Sequence, residues 1–415
     1  MKPDLQGKTL GIIEEALCGY SAHWFEWIRS VKLINEAAGV RVLIAGNREM
    51  DPAAARVLDA EAVLGHNSWD ESVHRQPALV RHAGVLSHNL KVYRSCEAVL
   101  KRWGPVDCLQ MPVVKIHHLA GALALTHRYG GRLFKRLVMQ VNMPPGIHIR
   151  GQNDPVFGRN SSLIRMVIRG FRRYVDQGLV CLGSDSDQTA KDYELLTGVP
   201  FIEFPTPRVI TATESSPEVR SKDAPVVFTC LGPSRHEKGS DLFLEAMQAY
   251  LQNSDRVPAK FVLQWTTDFT DTNGNLISPD PWLSEHADVT LVRRSLSSEE
   301  YDAALLGSDC IVMPYRWNSY FCRISGQAVE AATAGLPVIY TEDTWLERAM
   351  RRCGAGLSFR DGDVSDLVAK LAEMAARISD FQKQARDRIP LARQINSPEG
   401  FLKCLWGPQV AINRQ

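Results

Sequence analysis

No stretch of this sequence approaches the ~18 consecutive apolar residues of a membrane-spanning helix. The opening residues, Met1-Lys-Pro-Asp-Leu-Gln-Gly7, are polar and lack the apolar run of a secretory leader. These absences predict a cytoplasmic protein, peripheral to the inner membrane at most, with no stable membrane insertion. Charge of one sign is also missing. Lys and Arg number 48 against 47 Asp and Glu, a formal net charge of +1, so no global positive field exists to neutralise a nucleic-acid backbone. The nine cysteines form no Cys-x-x-Cys pair, and Cys181, Cys230 and Cys310 sit inside apolar runs as small hydrophobes. This usage suits a reducing compartment. No internal repeat and no low-complexity tract breaks the chain.

Metal spacing is absent as well. The histidines make neither His-x-x-x-His nor Cys–His patterns of a zinc site, and Asp185-Ser-Asp187 falls where a helix N-cap and a first-turn acid are expected. The sequence therefore predicts no metal. Nor does any pair of carboxylates have a spacing that assigns the acid and nucleophile roles of a glycosidase.

What is present is a chain of 415 residues, 45% hydrophobic and 23% charged, enough for two ordinary domains. Lys8 to Glu14 is a short apolar run ending in acids, Trp24, Trp27, Val31 and Ile34 mark a helix, and Val40 to Gly46 reads as a second strand. Later strand candidates are Asp107 to Pro112, Leu137 to Val141, Leu179 to Leu182 and Phe201 to Phe204. A mixed, proline-bearing segment from Thr206 to Pro225 reads as a hinge. Alternation then resumes with Val226 to Leu231, Lys260 to Gln264, Val289 to Val292, Asp309 to Met313 and Pro337 to Tyr340, separated by helical patterns. Short apolar runs between helices indicate parallel sheets covered on both faces.

Charge is uneven in one place. Between Arg128 and Arg173 lie Arg132, Lys135, Arg136, Arg150, Arg159, Arg165, Arg169 and Arg172 with Asp154 as the acid. This segment is either a set of solvated helix faces or a basic surface for an anionic acceptor or lipid headgroup.

Two stretches could carry chemistry. The first, Gly232-Pro-Ser-Arg-His-Glu-Lys-Gly239, joins a strand to a helix and places Arg235 and Lys238 beside free helix-terminal N–H groups, a combination suited to a diphosphate. In the second, Pro314 ends a strand, an aromatic and polar loop follows, Ser325 and Gly326 open a helix, and Glu330 sits one turn on, where it could accept from ribose hydroxyls. Trp265 either borders a base or sugar or packs at the sheet edge. In the first half, Gly19 in Cys18-Gly-Tyr20-Ser-Ala-His23 allows close backbone approach, and His117 and His118 open an Ala-rich helix.

These residues resemble the donor-binding domain of GT-B glycosyltransferases, nearest to the large retaining group 1 family of bacterial mannosyl-, glucosyl- and N-acetylglucosaminyltransferases. The resemblance is good from Val226 to about Asp363 and loose before it. It implies an α/β GT-B fold, two Rossmann-like parallel-sheet domains facing a cleft. Residues 1–208 would form the acceptor-side domain, 209–224 the hinge, 225–390 the nucleotide-sugar domain, and 391–415 a tail packing back toward the first.

By the same resemblance Gly19, Gly232, Arg235, Lys238, Arg323, Ser325, Gly326 and Glu330 bind the donor, and His118 or His117 lines the reaction centre beside Lys238 and Arg235. Tyr20 and His23 stand on the acceptor side. Two positions depart from the family pattern: Pro233 replaces the usual arginine, and Cys322 replaces a glutamate that contacts the transferred sugar. The implied activity is transfer of a sugar from a nucleoside-diphosphate sugar, the donor substrate rather than a cofactor, to a hydroxyl of a glycan, lipid or small molecule, with retention and without metal. Anionic and membrane-lipid-linked acceptors are among those implied, and no nucleic-acid partner is. The alternatives are an epimerase or phosphorylase of the same fold, or a catalytically silent binding protein.

Overall fold

The computed structural model describes residues 5–20, 23–69, 78–206 and 224–407, apart from the side chains of 23, 24 and 78–82. The expected hinge, 209–224, falls outside the described residues except for its last position. The chain divides into two compact units, Met1–Val209 with Asn396–Gln415, and Ile210–Ile395.

The first unit holds strands β1 (Thr9–Ile13), β2 (Arg41–Asn47), β3 (Ala60–Leu64), β4 (Val106–Met111), β5 (Phe134–Gln140), β6 (Val180–Ser184) and β7 (Ile202–Glu203). They form one sheet in the order β3-β2-β1-β4-β5-β6-β7, and every neighbouring pair is parallel. Both faces are covered, and the two-residue period of a strand sorts its side chains between two cores. Leu109, Leu137, Met139, Val180 and Leu182 enter one core. Their immediate neighbours Cys108, Val138 and Cys181 enter the other, with Leu10, Ile12, Phe401 and Leu405. The thiols in these runs are therefore packing groups. Helix Pro398–Trp406 is part of this second layer, and the buried Arg136 donates from Nε to the Leu405 carbonyl at 2.9 Å.

The basic segment is largely explained inside the unit. Helix Asp187–Thr197 ends in carbonyls without intrahelical partners. Arg165 and Arg169 donate from Nε to the Leu196 and Thr197 carbonyls at 2.9 and 3.0 Å, and Arg172 donates from Nη1 to Gly198 at 2.8 Å. Arg165 and Arg169, four residues apart in helix Ser161–Gly170, share a helical face, Arg172 opens the next short helix, and cations suit a helix C-terminus. At the other end of that helix Ser186 is the N-cap and Asp187 a first-turn acid, while Asp185 accepts from Asn142 Nδ2 at 3.0 Å.

The second unit holds β8 (Val226–Cys230), β9 (Ala259–Gln264), the short pair β10 (Phe269–Thr270) and β11 (Leu276–Ile277), β12 (Val289–Val292), β13 (Cys310–Met313), β14 (Val338–Thr341) and β15 (Gly356–Phe359). Its main sheet runs β12-β9-β8-β13-β14-β15 and is parallel throughout. Cys310 and Val312 face one core, Ile311 and Met313 the other. Each unit is thus a doubly wound α/β sheet, as the alternation of runs predicts. Chain order reverses between β1 and β4 in the first unit and between β8 and β13 in the second, the positions where open parallel sheets leave a crevice at their carboxyl edge. No helix among the described residues is long and apolar enough to cross a membrane.

Candidate functional site

In the second unit the connection after β8 is built for tight turning. Gly232 has φ +95, a conformation that a β-carbon disfavours, and its N–H donates to Gln264 Oε1 at 2.7 Å. Ser234 Oγ donates to the Thr267 carbonyl at 2.5 Å. A 3₁₀ turn, His236–Lys238, leads through Gly239 (φ +61) into helix Ser240–Gln252. A β-carbon on Gly239 would stand 1.9 Å from the Pro314 carbonyl oxygen. Only glycine therefore lets the loop after β8 close on the loop after β13.

That closure brings three cations together. Lys238 Nζ lies 5.5 Å from the centre of the Tyr315 ring, and burial, reinforced by the Arg235 and Arg323 charges, pushes its pKa down to about 8. Arg235 and Arg323 lie 3.6 and 3.2 Å from opposite oxygens of Glu237. The predicted residues Gly232, Arg235, Lys238 and Arg323 thus share one place, with Glu237, unpredicted, as the acid between the arginines. Arg316, also unpredicted, anchors the second loop: its N–H donates to the Glu237 carbonyl at 3.0 Å and its guanidinium pairs with Asp241.

Ser325 occupies the N-cap position of helix Gly326–Ala334 without a capping hydrogen bond from its side chain. Glu330 is buried at 2% exposure; its Oε2 accepts from Tyr301 OH at 2.7 Å, and a β-carbon on Gly326 would come 3.6 Å from its Oε1. Cys322 is buried. Trp265 takes the packing role: it is 1% exposed in the core, and its Nε1 donates to Asp268 Oδ1 at 2.8 Å. The chemistry on offer is a cluster of three cations around one acid, with Lys238 the most desolvated, that can hold a group of more than one negative charge.

In the first unit Gly19 needs no special backbone, having no positive φ, and a β-carbon there would meet only Asp51 Cβ at 3.5 Å. Tyr20 is 51% exposed with its ring 4.6 Å from that of Phe25. His23 begins helix His23–Ala37, and its side chain is outside the described residues.

His118 belongs to a cluster whose hub, Glu15, is not among the predicted site residues. Glu15, two residues beyond β1, is 4% exposed and receives groups from several elements. Its Oε2 lies 2.6 Å from His66 Nδ1 and 2.8 Å from His88 Nε2. Its Oε1 accepts from the Ser68 N–H at 2.6 Å and lies 3.1 Å from His118 Nε2. The Lys115 N–H donates to His118 Nδ1 at 3.0 Å, which leaves the imidazole proton on Nε2, toward Glu15. His88 is central, its ring 5.0, 5.5 and 5.6 Å from those of His66, His117 and His118.

Burial opposes ionisation of Glu15, but hydrogen bonds from His118, His66 and His88 outweigh it and hold the carboxyl well below its usual range. Neighbouring Glu14 lacks such partners, and burial pushes it up to about 8. Burial likewise pushes His117 down to about 4 and Lys115 to about 8. Two adjacent acids at the end of a buried strand were the signal available in the sequence for this hub. His66 and His88 carried none, because a turn and a helix bring them in from separate parts of the chain.

Residues 225–377 match the family model of the group 1 glycosyl transferases. No curated protein matches the chain by sequence. Among solved structures, the fold resembles sucrose-phosphate synthase from Thermosynechococcus elongatus, with a TM-score of 0.59 at 14% identity over 95% of this chain and 96% of that one. HepE from Anabaena in complex with UDP-glucose gives 0.59 at 11% identity, covering 95% and 98% of the two chains. The E. coli trehalose-6-phosphate structure bound with UDP-2-fluoro glucose gives 0.64 at 10%, covering 96% and 98%.

Proposed function

We propose, from the premise that residues 225–377 form a group 1 glycosyl transferase domain on a GT-B fold, that this protein moves a hexosyl group from a nucleoside-diphosphate sugar to a hydroxyl acceptor with retention of configuration. The observation that carries the reading is Lys238, a largely enclosed ammonium flanked by Arg235 and Arg323 at the reversal point of the second sheet.

Departure of a nucleoside diphosphate builds negative charge on its phosphate oxygens. A preorganised, water-poor cationic site stabilises that charge more than the same groups in water would. Lys238, Arg235 and Arg323 supply the positive charge, so transfer needs no metal at the diphosphate. The N–H groups at Ser325 and Gly326 donate to an anionic oxygen, and Glu330 accepts from ribose hydroxyls while Tyr301 orients its other oxygen. With Cys322 buried where the family has a glutamate, no carboxylate at that position contacts the sugar. By the same resemblance Tyr20 and His23 of the first unit serve the acceptor, Gly19 approaches the donor, and His118 or His117 serves the reacting group. The acceptor hydroxyl belongs to a glycan, a lipid-linked or anionic molecule, or a small molecule met in the cytoplasm or at the inner membrane surface.

UDP-sugars are the first donors to try, given the UDP-glucose and UDP-2-fluoro glucose complexes of the structural relatives. A panel of UDP-, GDP-, ADP- and dTDP-sugars with no divalent ion added tests the proposal by thermal shift and by release of nucleoside diphosphate. One donor should raise the unfolding temperature and release its nucleotide slowly. Stabilisation without release or transfer to any acceptor would favour a silent binding protein, the reading that Pro233 and Cys322 support. No response to any donor would overturn both.

A further inference from the structure

We propose that Glu15, His66 and His88 bind one divalent transition-metal ion of the zinc class. Their donor atoms, Glu15 Oε2, His66 Nδ1 and His88 Nε2, all lie within 4.8 Å of one another. The three side chains are 4, 7 and 12% exposed, so water competes little for the position. Two imidazoles and one carboxylate form a donor set that zinc and its first-row neighbours take with a coordination position left open.

The surrounding groups decide which atoms are ligands. A metal-binding imidazole nitrogen must give up its proton, and the ring's other nitrogen normally donates to a fixed acceptor. His66 Nδ1 and His88 Nε2 stand at hydrogen-bond distance from Glu15 Oε2, 2.6 and 2.8 Å, so an ion enters by displacing those two ring protons and parting the three atoms; His66 then meets the condition through Nε2, 3.1 Å from Ser95 Oγ. His118 does not: its Nδ1 accepts the Lys115 N–H, so its Nε2 keeps the proton and faces Glu15 Oε1. His118 is an orienting group. With the Ser68 N–H it holds the carboxylate oxygen not assigned to the metal and turns Oε2 toward His66 and His88.

A small cavity bordered by Glu15, His66, Cys96, Met111 and His118 lies beside the cluster. The cluster sits at the carboxyl edge of the first sheet, near the reversal between β1 and β4, where α/β folds place ligands. The sequence rule for zinc looks for two ligands on one helical turn. Here the ligands come from the end of β1, the segment after β3 and the middle of helix Ala78–Trp103, so no local spacing announces them.

The test uses the full-length protein, stripped with chelator and dialysed, then titrated with Zn²⁺ against a chromophoric chelator and with Co²⁺ by visible absorption. The expected result is one ion per chain with a submicromolar Kd for zinc, a rise in unfolding temperature, and a tetrahedral or five-coordinate Co²⁺ spectrum. His66→Asn and His88→Gln retain an N–H that can reach Glu15 while removing the imidazole ligand. Each should weaken zinc binding at least 100-fold with an unchanged far-ultraviolet dichroism spectrum, whereas His127→Ala, in another part of the unit, should bind as the parent does. Parent protein with no site tighter than 10 µM, or unchanged binding in both cluster variants, would overturn the proposal. The readout involves no nucleotide sugar, so it stands or falls apart from the transferase reading.

Discussion

Lys238 Nζ stands 2.4 Å from the place where a β-carbon on Gly232 would be. The turning glycine and the tip of the lysine share one space, so a side chain at residue 232 would push the ammonium from its place. Gly232→Ala should displace Lys238 and strain a φ of +95. We expect nucleoside-diphosphate affinity to fall by roughly tenfold or more, with a lowered unfolding temperature. Lys238→Ala should separate the two effects. Loss of a preorganised cation costs on the order of 100-fold or more in turnover, yet the unfolding temperature should stay level or rise, because a desolvated charge has gone. Parent-like turnover in Lys238→Ala would remove the lysine from the mechanism.

The depressed pKa of Lys238 gives a pH dependence with a definite sign. The folded protein titrates this group near 8 and the unfolded chain near the ordinary 10.5. Below about 8 both states carry the proton and the cost of burying the ammonium is present in full; between 8 and 10.5 the unfolded state binds more protons, so this group's contribution to stability improves as pH rises. Nucleotide binding runs the other way, since it needs the ammonium. Isothermal titration with a nucleoside diphosphate in buffers of different ionisation enthalpy should show proton uptake above pH 8 and affinity falling with further rise. Lys238→Arg should flatten that slope. A pH-independent affinity from 7 to 10 in the parent would contradict the assignment.

Two glycines with similar backbone angles should behave differently. Gly104 (φ +79) has nothing within 4 Å of the position a β-carbon would take, whereas Gly239 (φ +61) would place one 1.9 Å from the Pro314 oxygen. Gly104→Ala is expected to cost about 1 kcal/mol, the left-handed penalty alone. Gly239→Ala is expected to cost about 3 kcal/mol or more because backbone must also move, and to weaken nucleotide binding by parting the two loops. Denaturant unfolding of both variants checks the difference.

Phe401 is fully buried in the core of the first unit, beside Phe204 and Trp27. Phe401→Ala should destabilise that unit by about 3–5 kcal/mol and loosen the Leu405 carbonyl from Arg136, whose buried guanidinium then lacks its main acceptor. Calorimetry should show a first-unit transition moving to lower temperature. An unchanged thermogram would mean that helix Pro398–Trp406 contributes nothing to the fold's stability.

Much of the second unit was legible because its signals are local. The apolar run Val226 to Leu231, the glycines at 232 and 239 and the cations between them follow one another along the chain, and a strand-turn-helix needs nothing from elsewhere to be recognised. Arg323 could be named from the resemblance, but its pairing with Glu237 could not, since 86 residues separate them. The basic stretch from Arg128 to Arg173 read as surface charge, while Arg165, Arg169 and Arg172 in fact cap a helix that begins at Asp187. Trp265 likewise left two readings open until its burial was known.

By itself the sequence determined the parallel α/β class of both units, because period-two and helical patterns depend on neighbours in the chain. It also determined the strand-turn-helix after β8, whose turning glycines and cations are contiguous. Only the tertiary structure decided what His118 does, that Glu15 is the hub of a buried histidine cluster, and that His66 and His88 belong to it. Side chains on different strands and helices meet through the register of the sheet and the packing of its layers, and their protonation follows from burial and hydrogen bonding that exist only once those layers have closed.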